Sequence, residues 1–580
     1  MKFAVDSISL QGTTVRLPSP GVTAFVGGNN VGKSTILRQL NAWVGTDPSA
    51  PIPGPTLLDN VDTTRAGRDA DLAAWLFTHR PTGMQGPDVG VLDQERGLLT
   101  TASAIHQWSR TGDGSRLGHL GATLVHYAGT QQRLEMSQPA ARRADFTDPP
   151  TNSLQRLEDE PALLLELSRI AEDAFQQRLV MDPLSAQLIL RVGTPAVEAP
   201  PIDAITPAYR DALGSLRPLH EQGDGMRSMI GLLLPVIAST YPVVVVDEPE
   251  AFLHPPQARI LGRELALLAE SRGIQIILAT HDKNILTGLL DATSASVSVV
   301  RLTRQGDRTA ASQLPAEQLR SVWANPSLRY SNILDGLFHR AVVLAENERD
   351  CRFFAASVDA ANRRESLSIA PHDVLFVPTA GKTNIKPLAE TMKACGVPTV
   401  ACADLDLIND EGTLVGVVES LNGDWSELAT DYRIATAQFR TPRRKRQNRD
   451  ALGAVATILD EDPEGIYHGE TKSRVTEALG VESPWQPLKD HGMSAFRSER
   501  ARADSLVASL DHVGVVLVKE GELEGLAPDI GVRKGPGWVP AAIDAGAHEQ
   551  DRARDHIHRL IEAALVQETA LLNRRERVCA

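Results

Sequence analysis

Cysteine is scarce in this chain of 580 residues: Cys351, Cys395, Cys402 and Cys579 are all it has, with no CxxC pair and no close histidine partner. Such usage implies neither a zinc site nor a disulfide framework, and it fits a reducing cytoplasm. Net positive charge is lacking too. The formal charge of −14 argues against a chain that coats nucleic acid through overall charge, while leaving room for a local basic groove. The N-terminus, MKFAVDSISL, has no basic region running into an apolar core, so no signal peptide is expected and the chain reads as cytoplasmic. An uninterrupted membrane-length apolar run is also missing. The nearest imitation, Ser228–Val246, is broken by Pro235, Pro242 and the polar pair Ser239-Thr240. It reads as a buried helix, a turn and a buried strand, so no membrane partner is expected.

What is present begins at VTAFVGGNNVGKSTILRQL, from Val22: a strand-like run, a glycine-rich loop, then a helical pattern. This is GxxxxGK[ST] between strand and helix, the setting in which backbone N–H groups converge on phosphate oxygens. Gly27, Asn29, Asn30, Gly32, Lys33, Ser34 and Thr35 are the expected nucleotide-binding residues. Lys33 is expected to reach the β- and γ-phosphates, and Ser34 to ligate Mg²⁺.

YPVVVVDEPEAFLHP, Tyr241–Pro255, places four valines before two acids. A strand without polar alternation belongs in the middle of a parallel sheet, and ligands gather at the carboxyl ends of such strands. Asp247 is expected to hold Mg²⁺ and Glu248 to polarise an attacking water. IQIILATHDKNIL then brings His281 to the same sheet edge, across one helix predicted over 256–271, as a sensor of the γ-phosphate. Before the acids, Gly223-Asp224-Gly225 opens a helix and offers an anion-binding N-terminus.

Phosphate loop, GDG-x-R, VDEPE-x-x-LHP and ATHD together resemble an ABC-type ATPase head of the RecF/SMC and OLD (overcoming-lysogenisation-defect) kind, without the transporter signature LSGGQ. The resemblance implies ATP as cofactor and a homodimer or higher homo-oligomer, with the signature helix of one protomer touching nucleotide on the other. It leaves 45–215 unexplained, where an inserted arm or dimerisation element is expected. Gln131 or Gln132, in HYAGTQQRLEMSQ, stands as a candidate for the metal-sensing glutamine of such heads.

From Ala341 strand and helix alternate afresh, which implies a second parallel sheet. VVLAENERD runs from a strand into Glu346, Glu348 and Asp350, and VPTVACADLDL ends in Asp404 and Asp406. If extended, Asp404 and Asp406 point the same way, and a helix starting at Glu346 puts it on one face with Asp350. Carboxylates about 4 Å apart cost one another roughly 1–4 kcal/mol per pair, which a divalent cation relieves. Glu346, Asp350, Asp404 and Asp406 are therefore the expected ligands of Mg²⁺ or Mn²⁺.

This pattern is similar to the TOPRIM domain of topoisomerases, primases and OLD-family nucleases, with Gly381 and Lys382 in the intervening loop. Asn347 departs from the family's usual glycine, and asparagine tolerates positive φ. The resemblance further implies a catalytic role for Glu346 and for Lys519, at the end of VGVVLVKEGELEGL. The basic run FRTPRRKRQNR, Phe439–Arg449, is either a solvated face or a contact for nucleic-acid phosphates.

The expected fold is α/β: an ABC-type P-loop ATPase domain with a helical insertion over 1–305, a linker over 306–338, and a TOPRIM domain with helical additions over 339–580. The expected function is an ATP-driven, metal-dependent endonuclease, acting on DNA more than RNA, in anti-phage defence with a possible partner protein. The alternative is an ATPase sensor or scaffold whose TOPRIM domain binds a partner without cutting.

Overall fold

In the computed structural model the chain forms two units, Met1–Phe338 and His339–Val578. The structure describes all residues except 48–49, 53–55, 81, 86–87, 94–96, 111–114, 144, 146–149, 239–240, 307, 315–319, 321–331, 441–446, 464, 480–482, 533 and 580.

The first unit is built on a six-stranded sheet in the order Arg308–Leu314, Val297–Gln305, Gly21–Val26, Gln275–Ala279, Val243–Asp247 and Val125–Ala128. All pairs are parallel except the Arg308–Leu314 edge hairpin. Val243 to Val246 are fully buried, as β-branched residues in a sheet covered on both faces should be. Register fixes the site: Asp247 lies level with Ala279, and Ala279 with Phe25. The phosphate loop, the acidic pair and Thr280-His281 therefore leave the sheet at one edge.

The helix across that connection, Pro255–Arg272, is one residue longer at each end than predicted. Asp224–Ile237 is the helix expected within Ser228–Val246, and Val243–Asp247 the strand. No described helix is long and apolar enough to cross a membrane.

The stretch 45–215 is only partly the expected insertion. Leu58–Ala66 pairs antiparallel with Lys2–Leu10, and Val125–Ala128 closes one edge of the central sheet. Its apolar residues, among them Leu72, Leu76, Leu120 and Leu124, join the core that also holds Ile36, Leu37 and Leu40 of the phosphate-loop helix. Much of its length is thus part of the head itself. Arg308–Leu314, within the expected linker, is likewise a strand of this unit.

The second unit carries a parallel sheet in the order Val374–Pro378, Ala341–Ala345, Thr399–Asp404 and Val515–Val518. Its two central strands are buried, and helices Glu348–Arg364 and Asp551–Cys579 supply much of the core around Phe353, Phe354, Ile557 and Leu560. Ala345 lies level with Cys402 and Asp404 with Val518, so Glu346 and the DLD acids emerge together.

Candidate active sites

Tight backbone makes the phosphate loop. Gly27 has φ 145°, and a Cβ there would stand 2.4 Å from the carbonyl oxygen of Leu302; Asn30 and Gly32 are also left-handed. Lys33 opens the helix Lys33–Val44, and its ammonium donates to the carbonyls of Gly27 (2.8 Å) and Gly28 (2.7 Å). Burial lowers its pKa, opposed by Glu250, Glu248 and Asp247. Ser34 Oγ donates to Asp247 Oδ1 at 3.0 Å, so the two expected Mg²⁺ ligands already touch. Thr35 follows, half-buried, while Asn29 is exposed.

Burial is also the main reason the Asp247 carboxyl lies above its usual range; the Ser34 hydroxyl opposes it. Glu248 sits at φ 47° with its carboxylate half exposed. His281 Nδ1 stands 3.8 Å from Glu248 Oε1 and 3.1 Å from Glu250 Oε1, and its backbone N–H donates to the same Glu250 oxygen at 2.9 Å.

Gly223 caps the helix Asp224–Ile237 with ordinary φ (−61°), and a Cβ on Gly225 would meet the Phe252 carbonyl oxygen at 2.6 Å. Gly225 therefore packs this helix onto the loop after the acids, while a Cβ on Gly223 would meet nothing within 4 Å; no described hydrogen bond joins either glycine to the phosphate loop. Gln131 and Gln132 are both exposed, Gln131 donates to Glu135 at 2.9 Å, and no described hydrogen bond takes either to Asp247. The stretch they were read from supplies Tyr127, whose hydroxyl lies 3.5 Å from Asp247 Oδ2, and the buried Arg133. Sequence reasoning missed these two and Glu250. Nothing local marks Arg133, which stands among the polar residues Gln131, Gln132 and Glu135 and is the one buried residue of its helix.

In the second unit Glu346, Asp404 and Asp406 each present an oxygen, all within 4.8 Å of one another. Asp404 ends its strand, but Asp406 lies in a 3-10 turn, Leu405–Asn409, not in the extended segment expected. The turn forms where Leu405 N–H bonds to the Gly521 carbonyl of the neighbouring strand-end loop. Glu346 Oε1 accepts from the Asp404 backbone N–H at 3.1 Å.

Burial dominates the electrostatics. It pushes Asp404 up to about 8, reinforced by Glu346, Asp350 and Asp406, and it raises Glu346 against the pull of Lys382. Burial also pushes Asp406 up, but hydrogen bonds from Lys382 and Lys489 (2.9 Å) outweigh it, and its carboxyl ends below the ordinary range.

Asp350 is not part of the close trio. The helix starts at Glu348 rather than at Glu346, so Asp350 is its third residue and accepts from the Asn347 N–H at 2.9 Å in a capping box. Asn347 itself is extended, φ −136°, so the positive φ expected there is not needed. Burial raises Asp350, with Glu524 adding to it. Lys519 is exposed just beyond its strand, and no described hydrogen bond or ion pair takes it to the trio. Lysines at the site are instead Lys382, Lys489 and Lys534; the last donates to Glu522 at 2.6 Å and lies 3.7 Å from Glu524. Residues 441–446 of the basic run lie outside the described residues, and Arg440 pairs with Glu411 at 2.7 Å.

Three oxygen donors, one driven toward neutrality by burial and then by its acidic neighbours, suit a hard divalent cation rather than zinc or copper. The donor set fits Mg²⁺ or Mn²⁺.

Two family models match this chain. Residues 151–287 match AAA_21, an AAA domain described for the AbiEii toxin of a type IV toxin–antitoxin system, and residues 337–406 match the TOPRIM domain of overcoming-lysogenization-defect-like proteins. The class is thereby defined as an ATPase domain followed by an OLD-like TOPRIM domain. Among curated relatives the chain is similar to the OLD nuclease of Thermus scotoductus, 25% identical over 457 residues covering 68% of this chain and 79% of that protein. It is similar also to the Old nuclease of Escherichia phage P2, 22% identical over 214 residues, 33% of this chain. That second match spans only 35% of the phage protein's length. Among solved structures, the SMC head domain from Thermotoga maritima aligns over 54% of this chain and 100% of its own, at 14% identity and a TM-score of 0.29.

Proposed function

We propose that the chain is an ATP-hydrolysing, divalent-metal-dependent endonuclease of nucleic acid, DNA more than RNA, which works as a homodimer in defence against bacteriophage with a further protein of the same defence system. The observation that carries the nuclease reading is the trio Glu346, Asp404 and Asp406 within 4.8 Å, with Asp404 pushed up to about 8. Bound there, Mg²⁺ or Mn²⁺ would lower the pKa of water and neutralise charge on phosphate. Glu346, Asp404 and Asp406 would hold it. The chain's own share is then to position and to shuttle protons. Lys382, Lys489 and Lys534 would supply positive charge for the phosphodiester, and Glu346, beside the ion, would exchange a proton with the attacking or leaving oxygen. Lys519 is kept as a residue for the substrate backbone beyond the trio.

At the nucleotide site Lys33 offers its ammonium to the phosphates. Ser34 and Asp247 would hold Mg²⁺, Glu248 would orient water, and His281, steadied by Glu250, would serve the γ-phosphate. The GDG helix and the resemblance to paired ATPase heads support dimerisation.

The test is incubation of the full chain with plasmid DNA and with total RNA, in Mg²⁺ or Mn²⁺, with and without ATP, beside an Asp404→Ala/Asp406→Ala chain. Cleavage that disappears in the double variant is expected. Nuclease activity that persists there, or that is absent from both chains, sinks the reading.

A further inference from the structure

Arg133 is among the largest fully buried side chains of the described residues. Burying a guanidinium is costly unless its donors are all used, so its partners deserve explanation. Nη1 donates to the main-chain carbonyl of Asp247 at 2.9 Å, and Nη2 to that of Glu248 at 3.0 Å and to Thr130 Oγ1 at 3.2 Å. No hydrogen bond runs to a carboxylate, and Nε has no partner among the described atoms. The planar fork thus grips two consecutive peptide carbonyls, one from each of its terminal nitrogens.

Those carbonyls belong to strained backbone. Glu248 is a non-glycine residue at φ 47°, a conformation that costs on the order of 1 kcal/mol and persists only when its surroundings enforce it. Three contacts do so: Glu248 N–H to the Ala279 carbonyl (3.0 Å), Ala251 N–H to the Glu248 carbonyl (3.0 Å), and the Arg133 fork. The first two come from neighbouring backbone of the acidic loop and sheet. Only the third comes from another helix, Thr130–Met136.

That helix lies hard against Asp224–Ile237. A Cβ on Gly231 would stand 1.8 Å from the Arg133 carbonyl oxygen, and Arg227 Nε donates to Ser137 Oγ at 3.4 Å. A displacement of the GDG helix must therefore move the backbone that carries Arg133.

We propose that Arg133 is a positioning residue for hydrolysis at the nucleotide site: its guanidinium fixes the main chain that aims Glu248, and it couples that aim to the helix Asp224–Ile237. The role rests on the hydrolytic reading above. It separates binding from turnover, since Lys33 and the phosphate loop are held by contacts of their own.

The experiment uses the full chain and its Arg133→Met, Arg133→Lys and Glu248→Gln variants. Affinity is read with a fluorescent ATP analogue (mant-ATP), hydrolysis by single-turnover release of phosphate from ATP, and folding by circular dichroism. Both Arg133 variants are expected to bind mant-ATP within about threefold of wild type, while hydrolysis slows on the order of 10–100-fold, because a misplaced base loses rate rather than affinity. Arg133→Lys keeps charge and bulk, which guards against a chain that fails to fold, yet loses the rigid fork that gives each carbonyl and Thr130 Oγ1 a donor at fixed spacing. Hydrolysis at the wild-type rate in folded Arg133→Lys overturns the proposal. So does an equal loss of affinity and rate, which marks an arginine that merely holds the fold. Wild-type hydrolysis no faster than Glu248→Gln would instead remove the ATPase reading itself.

Discussion

Two side chains, one half exposed and one buried, show how much a single residue governs here. Glu248 is held left-handed with its carboxylate toward His281, so Glu248→Gln should keep nucleotide affinity while hydrolysis falls by about 10²–10⁴-fold, a loss read by phosphate release at saturating ATP. His556 is the second. It is buried against the Phe354 ring with Nε2 3.3 Å from the Cys402 sulfur, and burial, helped by Arg559 and Lys519, pushes its pKa down to about 3. Folded, it stays neutral; unfolded, it takes a proton below its ordinary value of 6.5. Its contribution to stability is therefore complete above pH 6.5 and is lost as pH falls toward 3, at about 1.4 kcal/mol per pH unit. A urea midpoint that drops less between pH 7.5 and 5.5 in His556→Gln than in wild type is the expected result. At this scale the sequence was legible where a motif states the chemistry: Lys33, Ser34, Asp247, Glu346, Asp404 and Asp406 were all singled out. Arg133, Lys489 and Lys534 are not, because each reaches its site from a segment distant in sequence, and spacing carries no record of that; Glu250 lies in the same VDEPE motif as Glu248 and is missed although it is local.

Elements reproduce the alternation of strand and helix well, because continuous apolar runs and glycine-rich turns speak locally. What alternation could not tell was where each helix begins, and that decides Asp350. Starting at Glu348, its helix spends one Asp350 oxygen on the Asn347 N–H. Asn347, extended and acting as the cap, has no need of a left-handed backbone. Asn347→Gly is accordingly expected to cost only a few tenths of a kcal/mol, as glycine for asparagine at a cap does. It should also leave cleavage within about twofold, since nothing in transition-state binding is removed. A large gain in cleavage would show that glycine was required there after all. The DLD turn teaches a similar lesson: a two-residue spacing predicts a shared side only if the backbone stays extended, and a hydrogen bond from Leu405 to Gly521 bends it into 3-10 form.

Across the whole molecule, two units with separate cores imply two separable responses. In calorimetry with excess chelator, two transitions are expected; Mg²⁺ alone should raise one, and Mg²⁺ with a slowly hydrolysed ATP analogue should raise the other as well. A single transition that moves as one under both additions would contradict this. The strand Arg308–Leu314 is hidden in the sequence because short edge strands have weak patterns of their own and are recruited by a partner already in place. Both sets of acids, finally, are rooted in strands flanked on each side by another strand. In deuterium the amides of Val243–Val246 and Val342–Leu344 should be among the slowest to exchange, and the loops bearing Gly27 and Gly381 among the fastest. Exchange in that order would give each chemical centre a stiff floor and a yielding roof, and mild warming would then loosen the grip on ligands well before it disturbed the carboxylates beneath.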